Sequence, residues 1–374
     1  MKFSINRDFL LTNLNHVARA LSNKPQMPIL TGIKIDVRKD FVLLTTSNSD
    51  ISIQTKLQNP NLILIEEEGV VVLPGKFLLE ITRKVESKNV DFMTFEENMV
   101  KILAERSNFT LNVLDKDAFP MIAFDESDIH LTMDVLNLKQ IIKKTTFAAS
   151  VSETRMVLTG ISFAANENTL EAIATDSFRL AKKYMVFEKT HPKINVIIPS
   201  RSLDELNKVM EELEEAVHIH FSNTKILFKY KNILFQSRLI EGTFPNTNSL
   251  IPNVFMTSIK FNKQELIATI DRASLFNSIE TTNIIKLTLT SDKIVEISST
   301  SNEVGAALEE VYPLECSSLV PFQIAFSSKF FLDALRSFDS AEITIHFTGE
   351  IKPFIITGEY DVNHVQLILP VRVA

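Results

Sequence analysis

Three pairs of basic residues, each pair seven positions apart, carry the most legible chemistry of this chain: Lys76 and Arg83, Arg201 and Lys208, Lys329 and Arg336. Each pair follows a short run that reads as a strand end and a helix start: Leu73-Pro74-Gly75, Ile198-Pro199-Ser200 and Phe326-Ser327-Ser328. Seven residues is about two helical turns, so the two bases of a pair share one helix face. An acid stands four residues past each first base, at Glu80, Glu205 and Asp333. Cations repeated along a smooth helix face attract phosphates without reading a base sequence. The chemistry is electrostatic contact with a polyanion. Lys24, Lys143, Lys144 and Arg272 add basic charge near neighbouring helices.

The chain as a whole has a formal net charge of -7. A globally acidic protein is repelled by nucleic acid at long range. It can hold a polyanion if the bases line an interior and the acids face outward. Such a chain binds weakly by itself and needs another protein to load it.

Residues for catalysis are missing. Only eight glycines occur. There is no G-x-G-x-x-G, no G-x-x-x-x-G-K-[ST] and no G-x-S-x-G. His218-Ile219-His220 places two imidazoles on one face of a strand, but no Cys or carboxylate stands at ligand spacing. The pair reads as two exposed strand histidines. Asp125, Glu126 and Asp128 read as linker solvation and as charge favouring a helix N-terminus. No metal and no cofactor is expected.

The elements that must position the bases repeat as well. Asn6, Asp134 and Asn262 recur every 128 residues, each with a side-chain oxygen able to cap a helix. Leu10, Leu138 and Leu266 follow at four residues. Leu14, Ile142 and Ile270 come next, then Val17, Thr145 and Ala273. That spacing predicts helices with one buried face. Elsewhere the period falls to two, as in Ile33, Ile35 and Val37, in Ile219 and Phe221, and in Ile343, Ile345 and Phe347, which predicts strands. Arg38-Lys39-Asp40, Asn166-Glu167-Asn168 and Ser291-Asp292 read as turns.

The fold class is therefore α+β, with three copies of one domain at residues 1–126, 127–254 and 255–374. Phe119-Pro120 and Phe244-Pro245 mark equivalent points before short, firm linkers. A hydrophobic fraction of 45% lets each third bury a core. Phe is abundant at 27 and Trp absent, which with the many Ile, Lys and Asn suits an AT-rich genome. The single cysteine, Cys316, excludes an internal disulfide framework, fits a reducing cytosol and reads as a small buried apolar group. No signal peptide and no membrane-spanning run is predicted.

Five segments at these spacings resemble the bacterial DNA polymerase III β-subunit family, the sliding clamps, from end to end. They are Met1-Lys2-Phe3-Ser4-Ile5, Lys24-Pro25-Gln26-Met27-Pro28-Ile29-Leu30, Thr175-Asp176-Ser177-Phe178-Arg179-Leu180-Ala181, Phe244-Pro245 and Leu369-Pro370-Val371-Arg372. The resemblance implies a head-to-tail homodimer closed into a six-domain ring, with helices inside and sheets outside. Twelve helices packed roughly 8–10 Å apart leave a hole of roughly 20–28 Å, wide enough for duplex DNA, whereas six would leave less than about 10 Å.

The resemblance further implies a non-catalytic processivity factor, cytoplasmic and nucleoid-associated when loaded. It would touch DNA without sequence preference through Lys24, Lys76, Arg83, Arg201, Lys208, Lys329 and Arg336. Phe109 and Leu111 of one copy would meet Leu275 and Phe276 of the other. A groove of Leu158, Thr175, Ser177, Phe178, Arg179, Leu180, Pro245, Leu250, Ile351, Leu367, Leu369, Pro370, Val371 and Arg372 would hold peptides of the replicative polymerase, the clamp loader and other proteins with a clamp-binding motif. The repeats supply a control: Ser47-Asn48-Ser49 and Ser301-Asn302-Glu303 match the middle turn, yet only the middle copy continues as Phe178-Arg179-Leu180-Ala181. Family members often carry Gly-His at Ser177-Phe178, Arg at Ser249 and a base at Asn108. The first two departures imply a more apolar, less basic groove, and the third leaves DNA contact at that position open. Two alternatives stay open from sequence: a clamp paralogue serving repair or inhibitor resistance, and a monomeric repeat enzyme.

Overall fold

The computed structural model describes residues 1–22, 27–96, 98–212, 215–278, 283–301, 304–318 and 320–372. Lys24, Pro25 and Gln26, and the turn residues Asn302 and Glu303, lie outside them.

The first repeat runs β1 (Lys2–Asn6), α1 (Arg7–Val17), β2 (Gly32–Arg38), β3 (Phe41–Ser47), β4 (Ile51–Leu57), β5 (Ile63–Glu67), β6 (Gly69–Pro74), α2 (Gly75–Lys84), β7 (Asn89–Phe95), β8 (Met99–Ala104) and β9 (Ser107–Asn112). The second runs β10 (His130–Asp134), α3 (Val135–Thr145), β11 (Gly160–Thr175), β12 (Arg179–Pro199), α4 (Ser200–Val209), β13 (Ala216–Phe221), β14 (Lys225–Tyr230) and β15 (Ile233–Arg238). The third runs β16 (Thr257–Asn262), α5 (Lys263–Ala273), β17 (Ile284–Leu289), β18 (Val295–Ser301), β19 (Gly305–Val311), β20 (Glu315–Cys316), β21 (Phe322–Ser327), α6 (Ser328–Arg336), β22 (Glu342–Phe347), β23 (Phe354–Gly358) and β24 (His364–Ile368).

Among the described residues each repeat has two α-helices, and the first of each starts where the sequence places a cap. Asn6 Oδ1 accepts the Phe9 N–H at 3.0 Å and Asn262 Oδ1 accepts the Glu265 N–H at 3.1 Å, each satisfying a first-turn donor. Asp134 ends β10 directly before α3. Leu10, Leu14 and Val17, their counterparts Leu138, Ile142 and Thr145, and Leu266, Ile270 and Ala273 are all buried. The alternating residues of β2, β13 and β22 are buried likewise. In the third repeat, Phe326, Phe331, Phe347 and Phe354 pack ring on ring, which fills the core without Trp.

Backbone contacts divide the chain into two compact units, residues 1–138 with 202–239 and residues 139–201 with 240–374. The first unit holds a sheet of order β5-β1-β7-β8-β9 and one of order β10-β13-β14-β15-β4-β3-β2-β6. The second holds a sheet of order β11-β12-β24-β23-β22-β16-β20 and one of order β19-β18-β17-β21. Neighbouring repeats thus share sheets, which local patterns do not show. The last strand of the second repeat, β15, pairs antiparallel with β4 of the first. The last strand of the third, β24, pairs antiparallel with β12 of the second.

One expected turn is corrected. Asn166-Glu167-Asn168 lies inside β11, where Glu167 takes a left-handed φ of 52° and the register with β12 shifts. The chain bulges and does not break there. Among the described residues no helix is long and apolar enough to cross a membrane.

Candidate functional site

The six bases stand where their spacing puts them. Lys76 and Arg83 lie on α2, Arg201 and Lys208 on α4, and Lys329 and Arg336 on α6, and all six are exposed. Opposite each row the helix buries an apolar face: Leu78 on α2, Leu203 and Leu206 on α4, Phe331 and Leu335 on α6. Packing of that face fixes which way the bases point. Arg83 meets Glu80 at 2.5 Å and Lys208 meets Glu205 at 2.7 Å. Asp333 does not follow this pattern.

Of the additional cations, Lys143, Lys144 and Arg272 are each paired with a carboxylate, and Lys24 lies outside the described residues. Lys144, 3% exposed, is paired with Asp361 and lies 3.0 Å from Asp339. Lys143 is 3.4 Å from Asp339, and Arg272 is 2.7 Å from Glu309. The histidine pair is also corrected. His220 is buried, its Nδ1 2.9 Å from the Ser127 carbonyl and its ring 5.5 Å from that of His130. His218 Nδ1 lies 3.0 Å from Thr132 Oγ1, across β10. Glu126 pairs with Lys229 at 2.6 Å. Among the described residues no cluster could hold a metal ion. Cys316 is half-buried against the third repeat's core, with Sγ 2.9 Å from the Ser318 carbonyl.

The turn before β12 is a rigid platform. Asp176 Oδ1 accepts the N–H groups of Phe178 at 2.9 Å and Arg179 at 3.0 Å, an Asx turn. Ser177 sits at φ 78°, and Ser49, its counterpart in the first repeat, at φ 79°. Asn48 Oδ1 binds the Asp50 and Ile51 N–H groups in the same way. Arg179 runs inward and is 8% exposed. Its guanidinium reaches Asp176 at 3.0 Å, Asp333 at 2.8 Å and the Phe147 carbonyl, and it stacks 4.4 Å from the Phe330 ring centre. These contacts leave Arg179 holding the turn rather than facing outward. Phe178, next to it, is held out at 62% exposure.

Around this platform lies an apolar floor. Ile173, Leu180, Ile355 and Leu367 cluster there with Phe244, Ile251, Phe255 and Val365 against them. Leu180 faces Leu367 across the β12–β24 pair. Leu158 and Thr175 are buried; Ser177, Pro245, Leu250, Ile351, Leu369, Val371 and Arg372 are exposed, and Pro370 is half-buried. The expected groove residues therefore divide into floor and rim. The Val371 N–H donates to the Ala325 carbonyl at 2.7 Å, which anchors the C-terminal rim to β21.

The first repeat junction has the same geometry and opposite chemistry. Ser52 and Gln236 face each other where Leu180 and Leu367 do, and Thr45 stands where Ile173 does. These three are buried; Gln54 Nε2 donates to Thr45 Oγ1 at 3.0 Å and Ser52 Oγ to Ser47 Oγ at 2.9 Å. At the rim Asp50 and Arg238 replace Phe178 and Leu369. The polar floor suits an apolar side chain poorly, whereas the second junction has an apolar floor and exposes Phe178, Leu250 and Ile351 at its rim. Local residue types alone do not reveal this contrast. Aligning the Asx turns of the first two repeats and reading outward along the paired strands does.

Among the sheet edges of the described residues are β9, at one end of the first sheet, and β19, at one end of the fourth. β9 carries no charged residue, and its Phe109 and Leu111 are only half-buried. Leu308 on β19 is 63% exposed, Leu275 is exposed and Phe276 is half-buried. An uncharged edge with apolar side chains, such as β9, invites strand pairing.

A family model described as DNA polymerase III beta subunit, N-terminal domain, matches residues 1–123; those for the central and C-terminal domains match residues 132–246 and 248–372. A Staphylococcus aureus protein named Beta sliding clamp is 41% identical over 378 residues, covering 100% of this chain and 99% of its own. Among solved structures, a DNA polymerase sliding clamp from Bacillus subtilis superposes with a TM-score of 0.95 at 38% identity, covering 100% of both chains. The DNA polymerase III beta chain of Streptococcus pneumoniae does so with a TM-score of 0.96 at 35% identity, again over 100% of both.

Proposed function

The chain belongs to the DNA polymerase III beta-subunit family and is a DNA sliding clamp, and we propose how its own residues perform that task. It is a processivity factor and carries out no reaction. As in its family, two copies form a ring that binds DNA and engages the polymerase and other partners. Tethering raises the polymerase's effective concentration at the primer end, so synthesis is prolonged without a catalytic group in the clamp.

The observation that carries the reading is the recurrence of one strand junction. Thr55 on β4 faces Ile233, the first residue of β15, and Lys183 on β12 faces His364, the first residue of β24. Thr55 and Lys183 each lie eight residues past the start of their Asx motif, Ser47 and Thr175. Applied a third time, the rule pairs Ser107, first in β9, with Glu309, eight residues past Ser301. Phe109 of one copy then faces Ala307 of the other, and Leu111 faces Gly305, with Leu275 and Phe276 alongside. Two such junctions close a head-to-tail dimer and pair both β9 and both β19 edges.

We divide each chain into domains 1–126, 127–254 and 255–374. Lys76, Arg83, Arg201, Lys208, Lys329 and Arg336, with Lys24, face the duplex as non-specific phosphate contacts. The rim of Phe178, Leu250, Ile351, Leu369 and Val371 over its apolar floor takes a short peptide with aliphatic and aromatic anchors. We place the protein in the cytoplasm, on the nucleoid when loaded. The test is primer extension with the source organism's polymerase and clamp loader. Adding the chain should lengthen the product made per binding event, and unchanged product length would refute the reading.

A further inference from the structure

Each two-base stripe is electrically divided. Among the described residues Lys76, Arg201 and Lys329 have no carboxylate within salt-bridge distance, while every second base has one. On α2 and α4 the partner is the acid three residues before it. Acid before base is the order that suits a helix, so Glu80 and Glu205 pair forward with Arg83 and Lys208 and not back with Lys76 and Arg201. Glu80 also lies 3.8 Å from Lys84, and Glu205 3.7 Å from Arg19. The third copy shows that the pairing does not simply follow from the motif. Asp333, the matching acid, is drawn away to the buried Arg179 at 2.8 Å. Arg336 is nonetheless paired, 3.4 Å from Asp271 of α5. Two different acids thus produce one outcome.

The first bases gain nothing for their helices by being where they are. Each is the second residue of its helix, where a cation opposes the helix dipole. Helix stability explains the second bases, which sit in the last turn, and does not explain the first.

We propose that Lys76, Arg201 and Lys329 carry the phosphate contact, and that Glu80, Glu205 and Asp271 shield Arg83, Lys208 and Arg336 to keep the total contact weak. This rests on the reading of the chain as a ring around DNA. A closed six-domain ring then presents six open cations and six muted ones. The acids act as positioning groups that limit friction; they touch no phosphate themselves.

The experiment tracks single labelled dimers, loaded by the clamp loader, as they diffuse along stretched DNA at a series of salt concentrations. Glu80→Gln with Glu205→Gln uncovers Arg83 and Lys208 and should slow diffusion about twofold, with a steeper salt dependence. Lys76→Ala with Arg201→Ala should speed diffusion and flatten its salt dependence more than Arg83→Ala with Lys208→Ala does. Diffusion unchanged or faster in the glutamine variant, or equal effects of the two alanine pairs, would overturn the proposal. A wild-type dimer that never threads onto the DNA would overturn the ring reading and this proposal with it.

Discussion

The backbone N–H of Leu369 donates to the carbonyl of Phe178 at 2.9 Å, and in the first repeat junction the N–H of Arg238 donates to the carbonyl of Asp50 at the same distance. One hydrogen bond thus aligns two rims, one apolar and one charged. The backbone hydrogen bond is common to both, so it is the side chains that distinguish the two junctions.

Converting the apolar rim to the charged one should abolish binding. Phe178→Asp with Leu369→Arg removes two exposed anchors, each worth about 1.5 kcal/mol or more when buried by a ligand. The expected loss of affinity for a polymerase-derived peptide is at least about tenfold, measured by fluorescence polarisation. Affinity within a factor of about two of the wild type would contradict the groove assignment. Phe178→His and Ser249→Arg, singly or together, should raise affinity for peptides with an acidic or polar end.

Arg179 should behave as a structural residue. Arg179→Ala leaves Asp176 and Asp333 without their partner and is expected to cost about 3 kcal/mol in urea unfolding. Arg179→Lys should restore little, because a point charge cannot span two carboxylates, a carbonyl and a ring face. A stable Arg179→Ala protein that has lost only peptide binding would instead make Arg179 a direct contact.

The second unit should lose stability in mild acid. His364 is buried, and burial followed by the nearby Lys144 charge lowers its pKa to about 3. Its Nδ1 faces the Lys182 carbonyl at 3.3 Å and so carries the proton of a neutral ring. Below the ordinary value of 6.5 the unfolded chain takes up a proton that the folded unit refuses. Stability is therefore full above pH 6.5 and falls by about 1.4 kcal/mol per pH unit towards pH 3. Burial alone would raise the Asp361 carboxyl, but hydrogen bonds from Lys144, Ser340 and Asp339 hold it well below its ordinary 3.8, adding a further loss below that pH. Urea midpoints between pH 7 and 5 should fall more steeply for the wild type than for His364→Gln. Parallel slopes would exclude His364 as the source.

The caps, the buried helix faces and the basic stripes were legible because each is set by residues within two turns of one another. Asn6 and Phe9, or Lys76 and Arg83, need no knowledge of the rest of the chain. Lys144 and His220 were misread for the converse reason. Their burial depends on Asp361 and on Ser127 and His130, far off in sequence. The floor of the groove was visible as residue types at Leu180 and Leu367, but that they face each other is a property of long-range strand pairing. The resemblance puts Arg179 in the groove, and no local pattern shows that Asp333 and Phe330 lie against it.

The dimer register is open to direct chemistry. In a Cys316→Ser background, Phe109→Cys with Ala307→Cys should oxidise to a covalent dimer of twice the 42.3 kDa chain mass. Crosslinking that prefers Ala306→Cys or Leu308→Cys would show a shifted register. Leu111→Lys, which charges an edge strand, should shift sedimentation towards monomer. A wild-type protein that sediments only as a monomer would rule out the ring.

Topological retention on DNA tests the central claim most directly. The wild-type protein is loaded on a nicked circular duplex, separated from free protein by gel filtration, and the circle is then cut once. A ring that slides should remain with the circle at moderate salt and leave the linear form by running off its ends. Equal retention on circular and linear DNA would mean ordinary surface binding and would contradict the account.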